Sequence, residues 1–372
     1  LYYYNIHEII KVQSDVILYE LEYFKSNEFS DWDLSIRTLD SLEGGLRLTR
    51  KILQDKSANS NRILYTEHLG SAGAQFSIDF GQRIEVTVNK LISKSRHVLY
   101  VNLVEPLLRF LLISKGFILL HSACMDKNES GLLLSAPPDT GKTTTVLKCV
   151  KNGFSFLSDD MTIIKLPNQA LCFPKPMTIS SHTFKTAVSV SNTRDTDPSM
   201  RVRSLVHSKT GRAFMHKLAK LNVPIFTINT IGQSIVRPPK YSINSILHDA
   251  IIKNDTTVDN LYFLKREGDD IIPLDTDKAL DLAVENSDDA FIFPPYAELL
   301  KYIDIDNRTA FELLEDEKKM LRTFLSGIRC YVVKSETRGW FNMISKTLRI
   351  NLRLSLLNKL VTFYNDSNYV IK

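Results

Sequence analysis

The chain has 372 residues, 44% hydrophobic and 24% charged, a length that suits two domains at roughly 100–200 residues each. That apolar content excludes disorder of the whole chain, and 14 Gly and 13 Pro without a period exclude a collagen-like or low-complexity chain. The net charge of +5 is uneven: Lys318 to Lys372 holds eleven Lys or Arg against two acids, or +9, which leaves the rest near −4.

A basic end on a mildly acidic body fits a solvated face, an anionic membrane surface, an acidic partner or nucleic acid. Cys124, Cys149, Cys172 and Cys330 lie far apart with no CxxC pair. This predicts reduced thiols in a cytoplasmic chain and indicates neither a zinc site nor a redox dithiol. The longest apolar run, Val101 to Leu120, is broken by Asn102, Glu105, Arg109, Ser114 and Lys115, so no simple membrane-spanning helix is expected. No cleavable signal is visible.

The first hundred residues read as a β-rich domain. Glu8 to Gln13, Asp33 to Arg37, Arg62 to Glu67, Ala74 to Phe80 and Arg83 to Val88 are short and partly alternating, with turns at Gly44-Gly45, Gly70-Ser71, Gly73 and Gly81. A helix follows, with Leu103, Leu107, Phe110, Leu111 and Ser114 on one face and Gly116 at its end. Phe117 to Leu120 then reads as a buried strand leading into His121, and Gly131 to Leu134 as a second one.

The segment Leu132 to Thr144 carries the chemistry. A buried strand, a turn-rich loop, Gly141-Lys142-Thr143 and a helix from Thr144 to Lys151, closed by Gly153, follow the order of a phosphate-binding loop. Backbone amides of Ala136, Asp139, Thr140, Gly141, Lys142, Thr143 and Thr144 would face phosphate oxygens, where the helix dipole favours an anion. Lys142 would reach the terminal phosphates and the Thr143 hydroxyl would ligate magnesium. The usual pattern begins with Gly where this chain has Ala136. Ala serves there if the turn stays in a permitted backbone region. Phe154 to Leu157 is the next strand, and Ser158-Asp159-Asp160 at its end supplies carboxylates for magnesium or for the proton of an attacking hydroxyl. Such a pair is also a common turn or helix start.

These elements together, His121-Ser122-Ala123, Leu132 to Thr143 and Gly153 to Asp160, resemble the HPr kinase/phosphorylase-like family, P-loop kinases related in fold to phosphoenolpyruvate carboxykinases. The match runs over about Leu103 to Lys165, and the order of elements is compatible to about Val284. The resemblance implies a P-loop kinase-like domain over 101–304 and covers neither the first hundred residues nor those after about Asp304. With the patterns of those two regions, the chain is expected to be α/β (α+β), with a β-rich domain over 1–100 and a helical, basic extension over 305–372. The resemblance implies Asp159 as general base toward the acceptor, Asp160 on the metal side with Thr143, and His121 beside the phosphates. Pro174-Lys175-Pro176 resembles a basic turn after the acidic strand. Lys265 and Arg266, at the end of a later strand, are either a cation on the transferred phosphate or a solvated pair.

The function so implied is ATP- and Mg2+-dependent transfer of the γ-phosphate to a hydroxyl of a protein, a peptide or a small alcohol. The alternatives are a nucleotide-binding scaffold or regulatory protein with reduced turnover and, more weakly, phosphotransfer to a carboxylate. Lys185 to Arg212 is polar and poor in periodic apolar residues, which predicts a mobile loop near the site. Leu348 to Leu356 fits a strand by period two and a helix by Ile344, Leu348, Leu352 and Leu356. With Trp340 and Phe341, this basic tail is expected to pack within the chain or in a homo-oligomer rather than on a membrane.

Overall fold

The structure, a computed structural model, describes residues 1–40, 50–57, 60–69, 72–137, 140–178, 224–235, 240–291 and 295–348. The expected loop from Lys185 to Arg212 and the tail beyond residue 348 lie outside them, as do Pro138 and Asp139.

The chain is a mixed α and β structure. Its N-terminal part forms one sheet from β1 (Tyr2–Ile6), β2 (Ile10–Ser14), β3 (Leu34–Leu39), β4 (Arg50–Ser57), β5 (Ser60–Leu69), β6 (Ala72–Phe80) and β7 (Ile84–Asn89), in the order β1-β2-β3-β7-β6-β5-β4. Alternation places Ile84, Val86 and Val88 in the core while Glu85 faces water. The expected strand Glu8 to Gln13 starts two residues later, as β2, and a turn at His7-Glu8 joins it to β1 before it. His7 and Glu8 take φ of 53° and 59°, and Asn5 braces the turn by accepting from the Glu8 amide at 3.0 Å. Asn side chains mimic a backbone turn in this way. β4, RKILQDKS, has no clear alternation and was not legible as a strand; it pairs along its whole length with β5.

Helical residues from Arg96 to Ser114 join the two halves. This helix is long and apolar enough to cross a membrane by length and composition, but 83% of that window is buried inside the protein. Every residue from Glu105 to Ile113 is buried, because one side meets the first sheet and the other meets Leu119, Ile163 and Phe173 of the second part. The two parts therefore share a continuous core rather than being joined by a linker.

The second sheet holds β8 (Phe117–Leu120), β9 (Ala123–Lys127), β10 (Ser130–Ser135), β11 (Ser155–Ser158), β12 (Thr162–Lys165) and β13 (Gln169–Leu171). Two short strands, β14 (Met177–Thr178) and β15 (Lys240–Tyr241), pair with each other beside it. β16 (Asp255–Lys265), β17 (Asp269–Leu274) and, after the hairpin β18 (Asp304–Ile305) and β19 (Arg308–Thr309), β20 (Arg329–Ser335) complete it. β10, β16 and β20 run parallel, so the chain leaves all three at one edge. Ligands of α/β sheets bind at such carboxyl ends.

Residues 305–348 of the segment read as an extension pack against the rest of the chain. The helix Ala310–Ser326, opened by a Thr309/Glu312 capping box, packs on the helix Thr276–Ala290, and β20 is a strand of the second sheet. A further helix spans 340–348, with Trp340 fully buried. The tail is thus packed within the chain as far as residue 348.

Candidate active site

Burial of Leu132, Leu133 and Leu134 seats β10 between β9 and β16. Ala136 continues it, 1% exposed and without positive φ, so glycine is not demanded at that position. The loop closes where the Thr140 hydroxyl donates to the Pro137 carbonyl at 2.8 Å. Gly141 takes φ +123°, open to glycine but strained for other residues, and its carbonyl accepts from the Thr145 amide at 3.1 Å. Lys142 thus begins the helix Lys142–Lys151, and Asn152 and Gly153, at φ +80°, end it before β11.

β11 delivers Asp159 and Asp160 opposite the loop. The Thr143 hydroxyl donates to Asp159 Oδ2 at 2.9 Å. Asp159 is 7% exposed, and its Oδ1 is buried with no hydrogen-bond partner. Burial pushes the Asp159 pKa up to about 6, with the Asp160 charge adding to the rise and Lys142 opposing it. Lys142 Nζ is likewise buried without a hydrogen bond. It lies 3.8 Å from Asp160 Oδ1, within ion-pair reach but too far for a hydrogen bond. Burial lowers the Lys142 pKa, and the two aspartates only partly offset it.

Asp160 is the hub. Lys175 Nζ is 2.7 Å from its Oδ2, and His121 Nε2 is 3.4 Å from its Oδ1. The surrounding protein disfavours a charge there, yet Lys175, His121 and Lys142 outweigh that and hold the Asp160 carboxyl well below the usual carboxylate range. The His121 ring is aimed by its other nitrogen, which donates to the Asn286 carbonyl at 2.8 Å. The Asn286 amide in turn donates to Ser135 Oγ, whose hydroxyl donates to the His121 carbonyl, both at 3.0 Å. Lys175 also pairs with buried Glu105 and stands 5.6 Å over the Tyr100 ring. Burial works against the Lys175 ammonium, but Asp160 and Glu105 prevail and raise its pKa.

The structure therefore brings Ala136, Thr140, Gly141, Lys142, Thr143, Asp159, Asp160, Lys175 and His121 to one place. Thr144 is the third residue of the helix, half-buried, and Asp139 is outside the described residues. The Thr143 hydroxyl is hydrogen-bonded to Asp159. A hydroxyl that donates its proton to Asp159 keeps its lone pairs for a cation, so Thr143 still fits a magnesium ligand, with ionised Asp160 as the fixed negative charge. Among the described residues no group of three or more His, Cys, Asp or Glu forms a metal cluster. Lys265 is paired in the sheet with Lys334, and Arg266 beside it is exposed. All four cysteines are buried free thiols.

Glu105, Tyr100 and Asn286 were not found by motif reasoning. Glu105 did carry a signal: an acid inside a wholly buried helix must be paired. The sequence matches no protein-family model, and no curated protein matches it.

Proposed function

We propose that the protein is an ATP- and Mg2+-dependent phosphotransferase that moves the γ-phosphate to a hydroxyl acceptor, in the manner of the HPr kinase-like enzymes it resembles. The observation that carries this reading is the pair of unsatisfied buried groups on opposite sides of the loop, Lys142 Nζ and Asp159 Oδ1. Buried polar atoms are nearly always partnered. A cation open at a phosphate loop and a carboxylate oxygen open beside it are the two groups an in-line phosphoryl transfer needs.

Each residue then has one task. Lys142 and the amides from Gly141 onward bind and orient the terminal phosphates. Thr143 and Asp160 would hold Mg2+, which supplies charge neutralisation on the phosphates when bound. Asp159, with its pKa near 6, is ionised at neutral pH and basic enough to take the acceptor proton. Asp160, pinned by Lys175 and His121, stays an anion throughout and cannot exchange roles with its neighbour.

Calorimetric titration with MgATP tests the reading. Wild type should bind, and Lys142→Ala should bind about tenfold or more weakly, as expected for loss of a charge-assisted hydrogen bond of roughly 1.5–3 kcal/mol. Equal affinities would sink the phosphate-loop assignment. Binding without turnover on any hydroxyl acceptor, or of ATP to water, would leave a nucleotide-binding scaffold instead.

A further inference from the structure

The turn after β20 reaches the phosphate loop from a position some two hundred residues downstream in sequence. An ideal Cβ built on Gly141 would lie 2.9 Å from Trp340 Cζ3 and 3.6 Å from Arg338 Cδ. Trp340 thus lies flush against the glycine that opens the helix Lys142–Lys151, fully buried and with its Nε1 unpartnered. Arg338 takes φ +60°, a left-handed conformation that costs an ordinary residue about 1–2 kcal/mol. The Ser335 hydroxyl holds the turn by accepting from the Gly339 amide at 3.0 Å, and the Gly339 carbonyl accepts from the Asn342 amide at 3.1 Å to start the helix over 340–348. A strained residue fixed by its surroundings at a ligand edge points to function.

The charges around the loop give Arg338 a task. Lys175 is committed to Asp160 and Glu105, which leaves Lys142 Nζ as the ammonium at the loop. Arg338, half-buried, has neither an ion pair nor a hydrogen bond from its side chain among the described residues. A nucleoside triphosphate brings more negative charge than one ammonium can offset, and a guanidinium reads phosphate oxygens two at a time.

We infer that Arg338 is a further phosphate-binding cation, carried by the turn after β20 and held on the loop by Trp340, that contacts the terminal phosphates of a bound nucleoside triphosphate beside Lys142. This rests on the phosphate-loop reading above. The segment over 335–340 is then a wall of the nucleotide site, and the site is incomplete without the C-terminal part of the chain.

The test is calorimetric titration of the full chain with MgATP and MgADP, using wild type, Lys142→Ala, Arg338→Ala and Arg338→Lys. Arg338→Ala should bind MgATP about tenfold more weakly, lose less for MgADP, and be partly rescued by Arg338→Lys. Trp340 emission, isolated by Trp32→Phe, reports that the turn is still seated on the loop in each variant and should change on addition of MgATP. Wild-type MgATP affinity in Arg338→Ala, with Lys142→Ala weakened, overturns this inference and leaves the phosphate loop standing. An equal loss for both nucleotides without rescue by Lys assigns Arg338 to packing and overturns it too. A wild type that binds neither nucleotide removes the loop reading and this inference together.

Discussion

Two clusters of buried charge lie within the same protein, and they are built differently. Around Arg109 everything is satisfied. Its Nε donates to Glu317 Oε1 at 3.0 Å and its Nη2 to Oε2 at 2.6 Å, while Nη1 reaches the Tyr296 hydroxyl at 3.3 Å and the guanidinium covers the Phe291 ring at 4.6 Å. Arg109 is 2% and Glu317 4% exposed. This fork-on-fork pair ties the connecting helix to Ala310–Ser326, and burial cannot neutralise Arg109 because Glu317 more than compensates it. Around Asp160, by contrast, two lysines and the His121 ring crowd one carboxylate while Lys142 Nζ and Asp159 Oδ1 are left without hydrogen bonds. A closed network stabilises the chain; an open one carries the cost of groups held ready for a ligand.

The sharpest break of this comparison removes half of the closed pair. Arg109→Ala, or Glu317→Ala, should lower unfolding free energy by about 3–5 kcal/mol, since each strands a buried charge. Urea unfolding measures this, and a loss under 1 kcal/mol would mean that the pair is not buried as described. The double change Arg109→Met/Glu317→Leu should recover much of the loss, because no charge is left unpaired.

The matching change in the open cluster should act in the opposite sense on stability. Asp159→Asn removes a carboxylate whose ionisation is opposed by burial, so the folded chain at pH 7 should be as stable as wild type or more so. Phosphoryl transfer should nonetheless fall at least about a hundredfold, with MgATP affinity little altered. A variant that loses stability and keeps its rate would reverse the contrast between the two clusters.

Gly141→Ala should cost about 1–2 kcal/mol, because L residues rarely adopt φ +123° and the new methyl would meet the Trp340 ring. Combining it with Trp340→Leu relieves the contact but not the backbone strain, so partial recovery in thermal unfolding separates the two causes.

The smallest effect concerns pH. His97 Nδ1 lies 2.9 Å from Glu20 Oε1. Burial lowers the His97 pKa, and the cations Lys240 and Lys175 add to this while Glu20 opposes it. Burial works against the Glu20 charge, but His97 and Lys240 hold its pKa below the ordinary value. Below about pH 6.5 the unfolded chain takes up a proton at His97 that the folded chain resists, and below about 4.5 the same holds for Glu20. Both therefore make stability fall with acidification. His97→Gln should flatten the melting temperature between pH 7 and 5; an unchanged slope would place that dependence elsewhere.

How much of this was legible follows from how local each feature is. The β-rich first hundred residues were visible through alternation, as in Ile84, Val86 and Val88, while charged β4 was not, because its order comes from pairing with β5. The turn at His7-Glu8 hid behind an apolar pattern that Asn5 interrupts. At the site, Gly141-Lys142-Thr143 and Asp159-Asp160 could be read directly, and Lys175 entered only through the family resemblance. Glu105, Tyr100, Asn286, Arg338 and Trp340 carried no spacing signal toward the loop.

The sequence by itself determined the strand, loop and helix around Gly141-Lys142-Thr143, since the three are contiguous and each is set by residues within a few positions. It also determined that two carboxylates follow on the next strand. Only the tertiary structure decided which of them is free and which is pinned. That depends on Lys175 and His121 meeting Asp160 while Thr143 alone meets Asp159. Parallel pairing of β10, β16 and β20 likewise decided that Arg338 and Trp340 stand at Gly141. Charges in a low-dielectric interior take their ionisation from whatever the fold packs against them, and those neighbours come from strand ends far apart along the chain.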